Sequence, residues 1–391
     1  MGASSKPSPL PVYLLSAAGF TVLTTEFVIV GLLPSMARDL KVSVPHAGLL
    51  VTLFAFTVAA FGPPLTAFLS AFERKRLFVF TLLLLGISNT IAALAPNMGV
   101  MAFARFIPAL ILPVYWSLAS ETVMEISGPG RAGKGISTFS LGPVLATVFG
   151  IPIGTLLADC FNWRTAFTVL AALSFIKGIL LGFYLPKLQL VARQASFLRQ
   201  FTILRSPVVL GNVLLSLLVF SGMFTAYTYL ADMLEKLGKF DGSIVGWLLM
   251  AFGGVGLIGN WLGGRLVDRS AFGATHLFCI LMAVAVLFLN QSFHSLPLLG
   301  LVLVVWGISQ SALFPISHVR VMKTAAAYPA LGASLNISGA NIGIGLGALI
   351  GGHIIEIQGL SSLGGAAAGV LLIAIGVTLS LQLAARPKTA S

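Results

Sequence analysis

The chain of 391 residues predicts an all-α integral membrane protein, with twelve transmembrane helices in two pseudo-symmetric six-helix bundles. Three observations carry that prediction. Hydrophobic residues make up 57% of the sequence and charged residues 9%, too few polar groups to clothe a water-soluble globule. Pro, Gly and charge cut the chain into apolar runs close to the roughly 20 residues that a bilayer span needs. The longest polar stretch, 186–206, falls between the sixth and seventh runs. Strand-type alternation is absent, which argues against a transmembrane barrel.

The runs lie near 11–34, 46–70, 76–95, 98–122, 133–158, 164–185, 207–231, 243–268, 272–291, 296–320, 329–355 and 360–385. Residues 1–185 form the first bundle, 186–206 a basic linker and 207–391 the second bundle. The first run is read as a retained helix, because no small-residue cleavage site follows it. Within "VLTTEFVIVGLLP" (22–34) it carries one carboxylate, Glu26. An acid at the centre of a helix costs roughly 2.5–3.5 kcal/mol on insertion scales, so such a residue needs a reason. Burial favours its protonated form and a nearby cation its charged form, and a group between those influences can take up and release a proton.

Segments 2 and 3 are joined by "FERKR" (72–76), which holds Arg74, Lys75 and Arg76. Segment 4 opens "FARFIPAL" and contains Arg105, a charge that is never shed in practice. Glu26 is one candidate partner for it. The other reading has Arg105 reaching to headgroups. Tyr115 and Trp116 follow, then Glu121 and Glu125, read as interface carboxylates. Segment 5 carries Gly150, Pro152 and Gly154 in "GIPIG". Small residues let helices approach and proline bends them. Lys177 in segment 6 has no acid nearby in sequence and reads as a lipid-facing lysine stretching to the interface, with a cavity role as the alternative.

The linker carries Lys187, Arg193, Arg199 and Arg205 with apolar residues between them, as in a piece lying on the membrane surface. Segment 7 offers Asn212, Tyr227 and Tyr229. Asp232 beyond it reads as a solvated loop charge, or else as an outer-gate residue. "GGRLVDR" (263–269) joins segments 8 and 9 and holds Gly264, Asp268 and Arg269. Segment 10 contributes Gln310, with His318 near its end, and segment 11 contributes Asn336 and Asn341. Amides and phenols bind hydroxyls, and aromatic faces stack on sugar C–H surfaces or flat drugs. The same asparagines can equally be glue between helices.

The net charge is +12, yet the basic residues sit in alternate short loops rather than in one patch. The termini and every second loop hold the excess, including Arg74, Lys75, Arg76, the four linker cations, Arg265, Arg269, Arg320 and Lys323. The opposite loops are nearly balanced. Topology rules then place both termini in the cytoplasm, and a nucleic-acid partner is rejected. Cys160 and Cys279 are isolated, and His353 with Glu356 is a weak pair, so no metal is expected. The glycine runs at 253–264 and 339–352 precede no Gly-Lys-Ser/Thr, which argues against a nucleotide-driven pump. A second membrane-facing possibility, Met1-Gly2 with Ser5 as an acylation signal, adds nothing to a multi-span chain.

"GGRLVDR" resembles the Gly-x-x-x-Asp-Arg loop of the major facilitator superfamily. Its first-half counterpart departs from the pattern, with Thr66 and Ser70 at the glycine and aspartate positions. Arg105 looks like the buried arginine of proton-coupled members, and Gly150, Pro152 and Gly154 resemble the antiporter motif of exporters. "TTEFVIVGLLP" (24–34), "TAYTYL" (225–230), "WGISQSALFPISHVRV" (306–321) and "SLNISGANIGIGLGALIGG" (334–352) look like the bacterial sugar-efflux and arabinose-efflux-like branch among the drug:H+ antiporters. The resemblance implies a proton-driven exporter of small solutes in the inner membrane, without cofactor and working as a monomer. Glu26 and Arg105 would then couple protons. Tyr115, Trp116, Asn212, Tyr227, Tyr229, Gln310, Asn336 and Asn341 would line the solute cavity, and the loop and glycine motifs would gate it. Sugars or glycosides are the expected solutes, with multidrug or phenicol-type export as the alternative. An uncoupled facilitator or sensor, and a membrane-embedded transferase, stand as readings of other classes.

Overall fold

The computed structural model describes residues 10–70, 72–127, 132–186, 206–325 and 329–384. Among these residues twelve apolar helices run back and forth: α1 (Leu10–Asp39), α2 (Val44–Leu69), α3 (Arg74–Ala93), α4 (Met98–Ser127), α5 (132–160), α6 (Trp163–Tyr184), α7 (Pro207–Tyr227), α8 (Gly242–Arg269), α9 (Ala271–Leu287), α10 (Leu296–Thr324), α11 (Pro329–Gln358) and α12 (Leu363–Ala384). Among the described residues no strand occurs. Eleven helical stretches are long and apolar enough to cross a bilayer, and α9 is a shorter apolar helix. At about 1.5 Å per residue its 17 residues reach about 25 Å, within the range of short spans. The basic residues of the linker, 187–205, lie outside the described residues.

Two helices depart from a simple rod. α5 runs Ala132–Leu145, passes through a π turn at Ala146–Gly150 and resumes as Ile151–Cys160. Pro143 and Pro152 each remove a ladder donor there, and a wider turn absorbs the misfit. α7 ends at Tyr227, and a short helix, Leu230–Lys236, follows after a break at Thr228–Tyr229. The single run 207–231 is therefore two pieces. Thr228 turns its hydroxyl back onto Phe224 O at 2.7 Å, which holds the chain end at the break.

The two halves repeat each other down to their turns. Between α1 and α2, Lys41 adopts φ 53° and Ser43 caps the next helix, accepting from the His46 N–H. Between the short helix and α8, Lys239 adopts φ 56° and Asp241 does the same for the Ile244 N–H. A left-handed residue followed by a capping side chain reverses the chain in both places.

Within the first bundle, α1 lies against α5 across glycines. A Cβ added at Gly150 would overlap Thr24, and one at Gly154 would overlap the Val28 side chain. These two glycines let backbones approach, the packing that substitutes for hydrophobic driving force inside a bilayer. Gly154→Leu is expected to lower stability by about 1–3 kcal/mol through overpacking, seen as a lower melting temperature in detergent.

The bundles meet through α2 with α11, α5 with α8, and α1 with the short helix. Arg38 Nη1 lies 2.6 Å from Glu235 Oε2, and Thr52 donates to Gly345 O at 3.2 Å. Leu156 covers Gly246, and Tyr229 fills the space above Gly48. Phe27 and Phe224 meet with ring centroids 6.1 Å apart. Each of these contacts falls in the halves of the helices remote from the termini. The far side is sealed by them.

Candidate functional site

Arg105 is 2% exposed on α4. One of its terminal nitrogens donates to Thr25 O and the other to Glu26 O at 2.8 Å, both on α1. Its guanidinium carbon stands 4.6 Å from the centre of the Phe54 ring on α2, a cation–π contact. The arginine thus ties three helices together through backbone and ring. Its Nε remains without a partner. Glu26 is half-buried beside it, and among the described residues its carboxylate forms no ion pair or hydrogen bond. The expected proximity of Glu26 and Arg105 is present, but the arginine holds the glutamate's main chain rather than its carboxylate.

Both side chains face a cavity of about 10 Å³, near the lower limit for one water. Phe27, Phe54 and Val51 of the first bundle wall it, and Asn341 and Ile344 of α11 close it from the second. Both bundles therefore touch one small spot that holds Glu26 and Arg105. A larger crevice, about 280 Å³, opens between the far ends of α2 and α4. It is shallow, its lining is apolar apart from His46, and it presents no convergent polar groups, so it is not the candidate site.

The other predicted residues lie in three places. Asn341 alone among the eight cavity candidates lines the Glu26 cavity. Tyr115 is turned into the first bundle, where its hydroxyl donates to Leu15 O at 2.5 Å and its ring meets Phe78 edge-on at 5.7 Å. Trp116 packs over Gly19 and against Phe139. Tyr227 stacks on Phe252 at 5.6 Å, while the Tyr229 hydroxyl donates to Ala348 O at 2.8 Å within the far-side seal. Gln310 accepts from the Trp306 indole at 2.9 Å. Asn336 accepts from Ser216 at 2.7 Å, and Asn212 donates to Val208 O at 2.9 Å, both inside the second bundle.

The loop motifs are also paired. Arg74 bridges to Glu121 at 3.1 Å and donates to Ser70 O, while Glu73 caps α3 by accepting from the N–H groups of Lys75 and Arg76. Asp268 meets Lys323 at 3.4 Å, linking the end of α8 to α10. Arg269 ends α8, and Gly264 has open space where a Cβ would stand. Gly150, at the end of the π turn, and Gly154 face α1, and Pro152 starts the α-helical piece beyond the turn.

Three charges are placed differently from their sequence reading. Lys177 does not stretch to the interface: it donates to Ala17 O at 2.7 Å and to the Thr21 hydroxyl on α1, with Phe20 at 5.3 Å. A carbonyl, a hydroxyl and a ring on α1 satisfy its ammonium where it stands. Arg320 is no loop charge. It is 2% exposed in α10, donating to Thr275 at 2.8 Å, Ser216 at 3.0 Å and Asn212 O at 3.4 Å. Asp232, read as solvated, is 1% exposed in the short helix and pairs with Lys236 at 2.9 Å. Its i,i+4 spacing to Lys236 was the available signal for that pair. For Lys177 and Arg320 the partners are backbone and hydroxyl groups on other helices, which no sequence spacing marks.

Residues 15–330 match the Major Facilitator Superfamily. The inner membrane transport protein YdhP of Escherichia coli is 32% identical over 346 residues, 88% of this chain and 89% of that protein. A probable sugar efflux transporter of Helicobacter pylori is 29% identical over 367 residues, 93% of each. Among solved structures, a bacterial homologue of the lysosomal transporter Spinster, inward-facing and occupied, superposes with a TM-score of 0.77 at 17% identity, covering 99% of this chain and all of that one. The nucleoside transporter NupG gives 0.74 at 16% identity, covering 97% and 99%. At such identities the structures speak for the fold alone, and the match across most of the sequence makes the assignment: the chain is a transporter of the major facilitator superfamily.

Proposed function

We propose that this transporter is a proton-coupled antiporter that exports small neutral solutes, sugars or glycosides, across a bacterial inner membrane. The single observation behind this reading is the Glu26 carboxylate. It stands half-buried beside the fixed Arg105 guanidinium, which attracts it, at a cavity that both bundles wall. A proton can drive transport only if its binding changes the relative stability of the two facing states. A carboxylate at the meeting point of the two bundles satisfies that requirement, because bundle movement changes what surrounds it. No cofactor is needed beyond the proton gradient, and the bundle pair forms the working unit as a monomer. With the termini in the cytoplasm, these contacts between the bundles would lie toward the outer face.

A second reading, export of amphipathic drugs, is favoured by one feature. The cavity walls include Phe27, Phe54 and Ile344. Flat apolar ligands would meet these side chains once the bundles part.

Reconstitution into liposomes with an internal pH-reporting dye tests the proposal. An imposed pH gradient and added glycosides or lipophilic drugs are expected to produce solute-dependent proton flux. Movement of labelled solute with no accompanying proton flux would instead make the protein a facilitator.

A further inference from the structure

We propose that Lys177 is a positioning residue for proton coupling: from α6 it keeps α1 from rolling about its own axis, and so fixes the direction in which Glu26 faces. This rests on Glu26 carrying the coupled proton.

A cation inside an apolar helix is costly, so its contacts declare what it is for. The Lys177 ammonium donates to Ala17 O at 2.7 Å and to the Thr21 hydroxyl, with the Phe20 ring 5.3 Å away. Among the described residues no carboxylate pairs with it. Every one of its partners lies on α1. A helix carbonyl points toward the residue one turn on, so Ala17 O and the Thr21 hydroxyl share one stripe. Thr25 continues that stripe four residues further. Its hydroxyl accepts from Asn89 of α3 at 3.2 Å, and its carbonyl accepts from Arg105 of α4. Thr21 and Thr25 are buried, so the stripe is turned into the first bundle.

Glu26 is the next residue, about 100° round the helix. It stands past the edge of the stripe, where Val51 and Phe54 of α2 share its cavity. The direction of the carboxylate therefore follows from where the stripe points. Asn89 and Arg105 grip the stripe at the level of Glu26. A rod gripped at one level can still tilt and roll. The second level lies about 12 Å nearer the N-terminus, eight residues along the axis. There the Tyr115 hydroxyl donates to Leu15 O at 2.5 Å from α4, and Ser16 accepts from the Gly142 N–H at 2.9 Å from α5. Lys177 supplies the grip from α6, and it is the charged one. Hydrogen bonds from an ionised donor are stronger than neutral ones, so its loss should be felt most in the roll of α1. The grips from α4 and α5 would remain, and the helix would stay in place.

The test compares Lys177→Met, which keeps the length and loses the donors, with Lys177→Arg, which keeps charge and donors. Glu26 is read directly in proteoliposomes by its rate of modification with dicyclohexylcarbodiimide, located by peptide mass spectrometry. The rate in Lys177→Met is expected to differ from wild type by about tenfold, the change in balance between two orientations for one lost bond to a charged group. Lys177→Arg should return toward the wild-type rate, and both variants should melt close to wild type. Protons moved per solute should fall in Lys177→Met while solute counterflow, which needs no net proton movement, persists. An unchanged Glu26 rate in Lys177→Met overturns the proposal. A change that Lys177→Arg fails to restore, or one that follows a collapse in melting temperature, makes the lysine a packing residue and overturns it too. Coupling that survives intact in Lys177→Met removes its part in coupling. A wild type that moves solute without protons, with the Glu26 rate still set by residue 177, would overturn the antiport reading and leave the positioning of Glu26 in place.

Discussion

Glu26→Gln, reconstituted and challenged with solute, is expected to let solute run down its gradient while solute-driven proton flux falls to background. The amide keeps the shape and loses the titration. The backbone carbonyl that Arg105 holds is unchanged by the substitution, so the clasp between α4 and α1 should persist. The uncharged amide also relieves part of the insertion cost of roughly 2.5–3.5 kcal/mol that a charged residue meets at a helix centre. The variant should therefore melt no lower than wild type. That pairing of outcomes separates coupling from structure. Proton flux retained in Glu26→Gln would remove Glu26 from the proton path, and a large drop in melting temperature would make it a structural acid.

The second large effect concerns the far-side seal. A side chain at Gly48 would collide with the Tyr229 ring, so Gly48→Leu should prevent α2 from closing onto the second bundle. Overpacking of about 1–3 kcal/mol would shift the balance between the two facing states by roughly 5- to 150-fold. Val51 lines the cavity and offers a reporter. In a background with the exposed Cys160 replaced by serine, Val51→Cys should react with a membrane-impermeant maleimide from the far side. The reaction is expected to be slow while Gly48 is kept and at least several-fold faster once Gly48→Leu is added. Equal rates would show that the Tyr229–Gly48 contact does not hold the far side shut.

What could be read in the sequence was whatever a single segment carries by itself. Hydropathy marks every spanning helix, including α9, whose helix falls short of the others. Glu26 and Arg105 announced themselves as charges in apolar surroundings, and they do share a cavity. What stayed hidden depends on rotation about helix axes and on partners from other helices. Tyr115 and Asn341 look alike on paper, as polar groups on candidate inner helices. One turns inward to Leu15 O and the other faces Glu26. Arg320 stands near other cations and close to a helix end, so counting assigned it to a loop. Its burial follows from hydroxyls on α7 and α9 that only packing brings near. Lys177 was hidden in the same way, since its acceptors lie on α1, far back along the chain. The break in α7 also escaped notice, because Thr228 and Tyr229 do not interrupt hydropathy.

The grip of Arg105 on main-chain oxygens has a bearing on descent as well as on mechanism. Every amino acid presents the same carbonyl. A lineage could exchange the side chain at position 26, lose or regain proton dependence, and explore new cargo without ever undoing the bond that orients its first helix. The scaffold is insured by the part of the residue that mutation cannot reach, which leaves the part that mutation can reach free to vary.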